Sequence, residues 1–364
     1  MVHFALIQIS KKHTEIFGTF IEIILKNKWE LTIFYDLDSD EYSFVKYYNS
    51  LFDNKLNIKP TSYLLDQIEN IDYLIITSSS DEKYLNNNIK YDLSHKCIYI
   101  QHQAAQWKPF MLKNITVSPV IKSEELDNTV CESILPIYRE YKNLHWKPNS
   151  GKVIFAVIGG VRFNQHGKLF DKNIDLIKEF INKYPDGNYE FWFFMRKWDW
   201  TALYKKYKFL KNNPKIFGFP GLKTEELIKS LHRVKFILPI AMKKGWFYWE
   251  RLTGNIPIAI NFNIPIILDH ELAQIYKLEE YAICYEESLT EIYDYIMNIK
   301  NDEYYEYVEK IVKYKKKITR ENEKKFINLC IKQIPTITKN QYNNFLNNIN
   351  NANKMQIVPF KYRY

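Results

Sequence analysis

KFILPIAMKKGWFYWERLTGNIPIAINFNIPIIL, residues 235–268, reads as strand, loop, helix and strand. It divides into an apolar strand at 236–240, a loop at 241–250 carrying cations, one glycine and four aromatics, a short apolar helix at 251–262, and a new strand from 265–268. Pro257 is the one residue that speaks against the helix. Backbone N–H groups at a helix start lack partners, and the dipole there favours negative charge. Arg251, Thr253 and Gly254 stand at that turn, so the expected guest is a phosphate-bearing ligand.

The same strand–helix alternation extends outward in both directions. In the first half, strands are expected at 2–9, 29–35, 73–77, 97–100 and 115–117, and helices at 14–26, 44–51 and 62–68. Lys11, Lys12 and His13 follow the first strand. Residues 141–152 (YKNLHWKPNSGK) read as a linker. The pattern then restarts. Strands are expected at 153–158, 189–195 and 215–219. Helices are expected at 174–184, 200–210, 224–231 with Thr224 as N-cap, 289–298, 303–316, and 319–333 with Thr319 as cap. Repeated βαβ units imply an α/β chain of two doubly wound, Rossmann-like halves. Domain bounds of 1–145 and 151–318 follow, with a C-terminal helix and Asn-rich tail at 319–364.

Composition narrows the function. At 364 residues, two domains are the better prior. The Lys, Asn, Ile and Tyr excess, with 28 Tyr, fits an AT-rich microbial or large DNA-virus genome. The net charge of +9 can attract nucleic acid, anionic lipid or phosphorylated small molecules, although the plainer account is lysine on solvated helix faces, as in residues 313–317. Zinc-finger spacing, RNA-binding aromatic signatures and basic heptads are missing, so nucleic acid is not an expected partner. The four cysteines are far apart; Cys97 and Cys284 lie in apolar runs and are expected as buried thiols. With no basic leader at residues 1–10 and no apolar run of roughly 18 residues, a soluble cytosolic protein is expected.

The second half resembles the retaining GT-B glycosyltransferases, in which two Rossmann-like domains face a central cleft, with the donor on the second and the acceptor on the first. VIGGVRFNQHGKLFDKNIDLIKEF (157–180) is similar to their strand, Gly-Arg loop and Lys-Asn helix start. The resemblance implies that Gly160, Arg162 and Lys172 meet the donor diphosphate, with Lys168 competing for the lysine role. Cations there stabilise the charge growing on the leaving group. Arg196 closes the next strand. IFGFPGLKTEELIKSL (216–231) looks like the turn and helix that frame the base, so backbone groups from Phe219 to Leu222 would face uracil or guanine. Aligned with family-4-like enzymes, Glu250 takes the position of a sugar-binding Glu. The second Glu of that pattern is Ile258 here, and the Gly of its Gly-x-Pro is Asn263. In the first half, His102 follows a strand end and is a candidate base or hydroxyl ligand. The resemblance implies a UDP- or GDP-sugar as donor substrate, a glycan or other glycoconjugate acceptor, and no separate cofactor or metal.

Each assignment has a plainer alternative. Arg162, Lys172 and Arg196 are equally readable as surface charge, Glu250 as a dipole-complementing carboxylate, Thr253 and Gly254 as a cap, and His102 as a structural histidine. Trp246, Phe247 and Trp249 suit stacking or core packing alike. Asp36-Leu-Asp38-Ser-Asp40 has the spacing of a metal-binding DxD but reads as a turn with Asx bonding. Two other readings of the whole remain: a catalytically degenerate nucleotide-sugar-binding module, and a nucleotide-sugar epimerase of the same fold.

Overall fold

The computed structural model describes residues 1–9, 16–36, 43–77, 84–85, 87–88, 93, 95–101, 113–117, 130–136, 151–163, 172–242 and 253–331. These form two sheets. The first contains β1 (His3–Ile7), β2 (Glu30–Phe34), β3 (Asn57–Lys59), β4 (Tyr73–Ile76), β5 (Cys97–Gln101), β6 (Lys113–Thr116) and β7 (Val130–Ser133), in the order β3-β2-β1-β4-β5-β6-β7. The second contains β8 (Val153–Ile158), β9 (Tyr189–Met195), β10 (Ile216–Pro220), β11 (Phe236–Ile237), β12 (Ile266–Asp269) and β13 (Ala282–Tyr285), in the order β10-β9-β8-β11-β12-β13. All the pairings are parallel. Each sheet starts in its middle, builds to one side, then crosses back. The crossing points lie between β1 and β4 and between β8 and β11, where doubly wound sheets open a crevice at their carboxyl edge.

The helices are α1 (Phe17–Lys26), α2 (Phe44–Leu51), α3 (Leu64–Gln67), α4 (Asp175–Lys183), α5 (Lys197–Lys206), α6 (Thr224–Leu231), α7 (Asn255–Asn261), α8 (His270–Ile275), α9 (Tyr293–Asn298) and α10 (Asn301–Ile331). β8 and β9 are buried along their whole length, because helices cover both faces of a parallel sheet.

The expected helix at 251–262 is shorter. α7 begins at Asn255, which puts Pro257 in its first turn, where its missing N–H is not needed. The helix ends in a Schellman turn: Ile264 N–H donates to Ala259 O at 3.0 Å and Asn263 N–H to Ile260 O at 3.4 Å. Asn263 takes φ +53°, so asparagine performs the left-handed role that glycine fills in the resembling pattern. The expected strand at 236–240 pairs only over Phe236–Ile237. The N-cap of α6 is Lys223, not Thr224; Glu226 Oε2 accepts from Lys223 N–H at 3.1 Å. The helix expected at 200–210 begins at Lys197 and ends at Lys206. Cys97 is buried as expected, whereas Cys284 is half-buried. Asp36 accepts from the Thr61 N–H at 3.1 Å and the Thr61 hydroxyl at 2.9 Å, starting the turn before α3; Asp38 and Asp40 lie outside the described residues.

The largest correction is at the C-terminal end. The two helices expected at 303–316 and 319–333 are one continuous helix, α10, with Thr319 in its interior. The Thr319 hydroxyl donates to Lys315 O at 2.8 Å, one turn back, instead of capping a new helix. α10 spans both sheets. Tyr304 lies edge-on to Phe236 beside β11 and donates to Lys235 O at 3.1 Å. Further along, Phe326 meets Phe4 and Phe20 at 5.6 Å each, Asn322 donates to Leu135 O at 2.7 Å, and Glu323 pairs with Lys26 at 2.5 Å. One apolar cluster thus runs from the first sheet through α10 to the second. No described helix is long and apolar enough to cross a membrane.

Candidate functional site

The crevice beside β8 is built on one clamp. The Asn255 amide, 1% exposed, accepts from Ile158 N–H at 2.9 Å and donates to Ile158 O at 2.8 Å. It also donates to Thr253 Oγ1 at 2.9 Å. The end of β8 is thereby tied to the start of α7. One residue beyond the clamp on each side stands an exposed glycine, Gly159 at φ +91° and Gly254, and a Cβ built on either meets none of the described residues within 4 Å. Among the described residues, bare backbone therefore stands free of side-chain contact on both flanks of the clamp, at the switch point of the second sheet.

The expected site residues fall as follows. Thr253 is buried, and its hydroxyl is engaged with Asn255. Its backbone is hydrogen-bonded to buried Tyr276, whose hydroxyl burial pushes to a higher pKa and that bond moderates. α7 has seven residues, too short for its terminus alone to make an anion site. Lys172 is buried, its main chain bridges Ala241, and its ammonium donates to Ile158 O at 3.3 Å. Arg162 is exposed in the loop after β8. Arg196 closes β9 and turns its side chain toward Gly160. Its Nε donates to Asp199 Oδ2 at 2.7 Å, and its guanidinium lies 4.0 Å from the Trp198 ring centre.

Gly160 has a different role from Gly159. A Cβ there would come within 2.7 Å of Asp199 Oδ2 and 2.8 Å of Arg196 Nη2, so glycine is what admits that pair. Phe219 stacks on Phe194 at 5.1 Å and meets Trp192 at 4.9 Å, so its ring serves the core. Leu222 is half-buried after Gly221, which takes φ +73° and donates to Met195 O at 2.8 Å. The structure brings Gly160, Lys172, Arg196, Thr253 and Gly254 to the carboxyl end of β8 and β9, with Phe219 and Leu222 one strand further out. His102, Glu250, Arg251 and Lys168 lie outside the described residues, as do Trp246, Phe247 and Trp249.

Sequence reasoning missed Asn255 and Asp199. Asn255 hides in an apolar helix, and nothing local announces its partner 97 residues earlier. Asp199 carried a faint signal, three residues after Arg196.

No family model matches the chain, and no curated protein does. Solved structures match over nearly its full length. The Anabaena protein Alr3699/HepE, in complex with UDP and glucose, is 9% identical, covering 90% of this chain and 99% of that one with a TM-score of 0.59. AviGT4, a glycosyltransferase involved in avilamycin A biosynthesis, is 10% identical, covering 91% and 98% with a TM-score of 0.56. Sucrose-phosphate synthase from Thermosynechococcus elongatus is 10% identical, covering 90% and 99% with a TM-score of 0.53. At such identities the likeness speaks for the fold. With parallel sheets of seven and six strands among its described residues, the chain has the GT-B fold known from glycosyltransferases.

Proposed function

We propose that this protein is a glycosyltransferase that moves a sugar from a nucleoside-diphosphate sugar, with UDP or GDP as leaving group, to a glycan or glycoconjugate acceptor. The observation that carries the proposal is the glycine-flanked clamp at the switch point of the second sheet. There Gly159 and Gly254 leave room for a diphosphate to approach the backbone, and Arg196 and Lys172 supply positive charge beside it. Arg162, on the same loop, adds a third cation. The GT-B neighbours, one of them bound to UDP and glucose, support the same ligand class.

The chemistry asks for little more. As the bond between the sugar and the diphosphate breaks, negative charge gathers on the leaving phosphate, and fixed cations lower the barrier by meeting it there. Glu250 is assigned to donor sugar hydroxyls, and His102, which follows β5 in the sequence, to the acceptor hydroxyl. The donor is a substrate, and the reaction as drawn uses no separate cofactor.

Titration calorimetry with a panel of UDP-, GDP- and TDP-sugars tests the proposal. Binding by at least one donor, lost in Gly254→Val, is expected. No binding by any donor would overturn it. Binding without transfer or hydrolysis would identify a non-catalytic module, and a changed free sugar nucleotide would identify an epimerase.

A further inference from the structure

Arg196 is held from three directions. Its Nε donates to Asp199 Oδ2 at 2.7 Å, its Cζ lies over the half-exposed Trp198 ring at 4.0 Å from the ring centre, and its Nη2 lies against Gly160. Neither terminal nitrogen of Arg196 has an acceptor among the described residues, and the side chain is 36% exposed. A guanidinium whose Nε is occupied and whose plane is fixed presents its two terminal nitrogens as a ready fork for two oxygens of one phosphate.

Asp199 bears the cost of this arrangement. Its side chain is 0% exposed, and its Oδ1 has no hydrogen-bond partner among the described residues. It stands in the first turn of α5, where a carboxylate complements the helix dipole. That service requires neither full burial nor a glycine opposite, and among the described residues the side chain accepts only from Arg196 Nε. Burying a carboxylate with one oxygen unpaired is costly for folding. A group held at such a cost beside a crevice marks preorganisation of its partner.

We propose that Asp199 and Trp198 are positioning residues that lock the Arg196 guanidinium for a phosphate of the nucleoside diphosphate, with Gly160 giving them room. This rests on the donor reading above and deepens it. It also separates two jobs along one loop: Gly159 lets the ligand approach, while Gly160 lets the Arg196–Asp199 pair close.

The test is UDP and GDP binding by calorimetry to the full chain and to Asp199→Asn, whose side chain has the same shape without the charge. Three accounts differ in sign. If Asp199 matters only through its charge, removing a buried anion beside a phosphate site tightens binding. If it only supports the fold, affinity stays unchanged in protein that melts as a folded chain. If it positions Arg196, binding weakens by about tenfold, the size of one charge-assisted hydrogen bond. Arg196→Lys keeps the charge but loses the fork and weakens binding similarly, and the double variant loses no more than either single one. Trp198→Leu changes an exposed side chain and gives a second reading should Asp199→Asn fail to fold; a several-fold loss is expected. Unchanged or tighter binding in Asp199→Asn, or in Trp198→Leu where that is the variant measured, overturns the inference while leaving the donor reading intact. Failure of the wild-type chain to bind either nucleotide overturns both.

Discussion

Replacing Asn255 by alanine removes the clamp between β8 and α7, and its cost can be worked from the contacts. The amide makes hydrogen bonds of 2.9 Å and 2.8 Å with the Ile158 backbone and 2.9 Å with Thr253 Oγ1. After truncation the Ile158 carbonyl keeps the Lys172 ammonium, but the Ile158 N–H loses its partner in a residue only 5% exposed. An orphaned buried donor costs about 1–3 kcal/mol and each of the other two lost bonds about 1 kcal/mol, so a loss of about 3–5 kcal/mol is expected. Asn255→Asp separates the parts. Its carboxylate still accepts from Ile158 N–H but turns a second oxygen on the Ile158 carbonyl, so at neutral pH it costs at least as much. Burial raises a carboxyl pKa, so the folded value lies above the unfolded value of about 3.9. The aspartate variant's deficit therefore shrinks as pH falls toward that unfolded value. Urea unfolding followed by tryptophan fluorescence measures both variants. A loss under about 1 kcal/mol for Asn255→Ala would refute the clamp, since a single surface-like hydrogen bond is worth that much.

Further outcomes follow from other contacts. Phe326→Ala opens a hole between Phe4 and Phe20 and should cost about 3–5 kcal/mol, read as an earlier urea midpoint. Gly254→Val should leave the urea midpoint in place, because none of the described residues lies within 4 Å of the new Cβ, yet abolish nucleotide binding in calorimetry. Asn263→Ala should cost about 1 kcal/mol by forcing alanine into φ +53°, whereas Asn263→Gly should stay within about 0.5 kcal/mol of wild type by the same measure. Burial, with the charges of Glu279, Glu286 and Asp269, pushes the Cys284 thiol up to about 11. Its thiolate therefore appears only as pH rises toward that value, and mass-spectrometric alkylation profiles should show almost no iodoacetamide labelling of Cys284 at pH 8.

Legibility in the sequence followed burial. β8 and β9 match their expected bounds because strands covered on both faces are unbroken apolar runs. The strands that went unread, β3, β7 and β13, are all sheet edges. An edge strand is short and needs little apolar character, so its neighbour, more than its own residues, makes it a strand. The helix α8, only six residues from His270 to Ile275, escaped for the same lack of periodic length. The site was half legible: cations after strand ends and glycines at turns are local signals, but the partner of each is not.

The order of apolar runs and amphipathic segments determined by itself that this chain makes two parallel, doubly wound sheets, because a strand and its covering helix carry their periodicity within a few residues. Only the tertiary structure decided the rest. It joined two expected helices into α10, whose far half is held by Phe4 of β1 and Phe20 of α1. It put asparagine in a glycine's conformation at Asn263 and assigned Gly159 and Gly160 different work. It set Asn255 against Ile158 across 97 residues of sequence. Those outcomes depend on which surfaces meet, and a hydrogen bond or a missing Cβ has meaning only once its distant partner is in place.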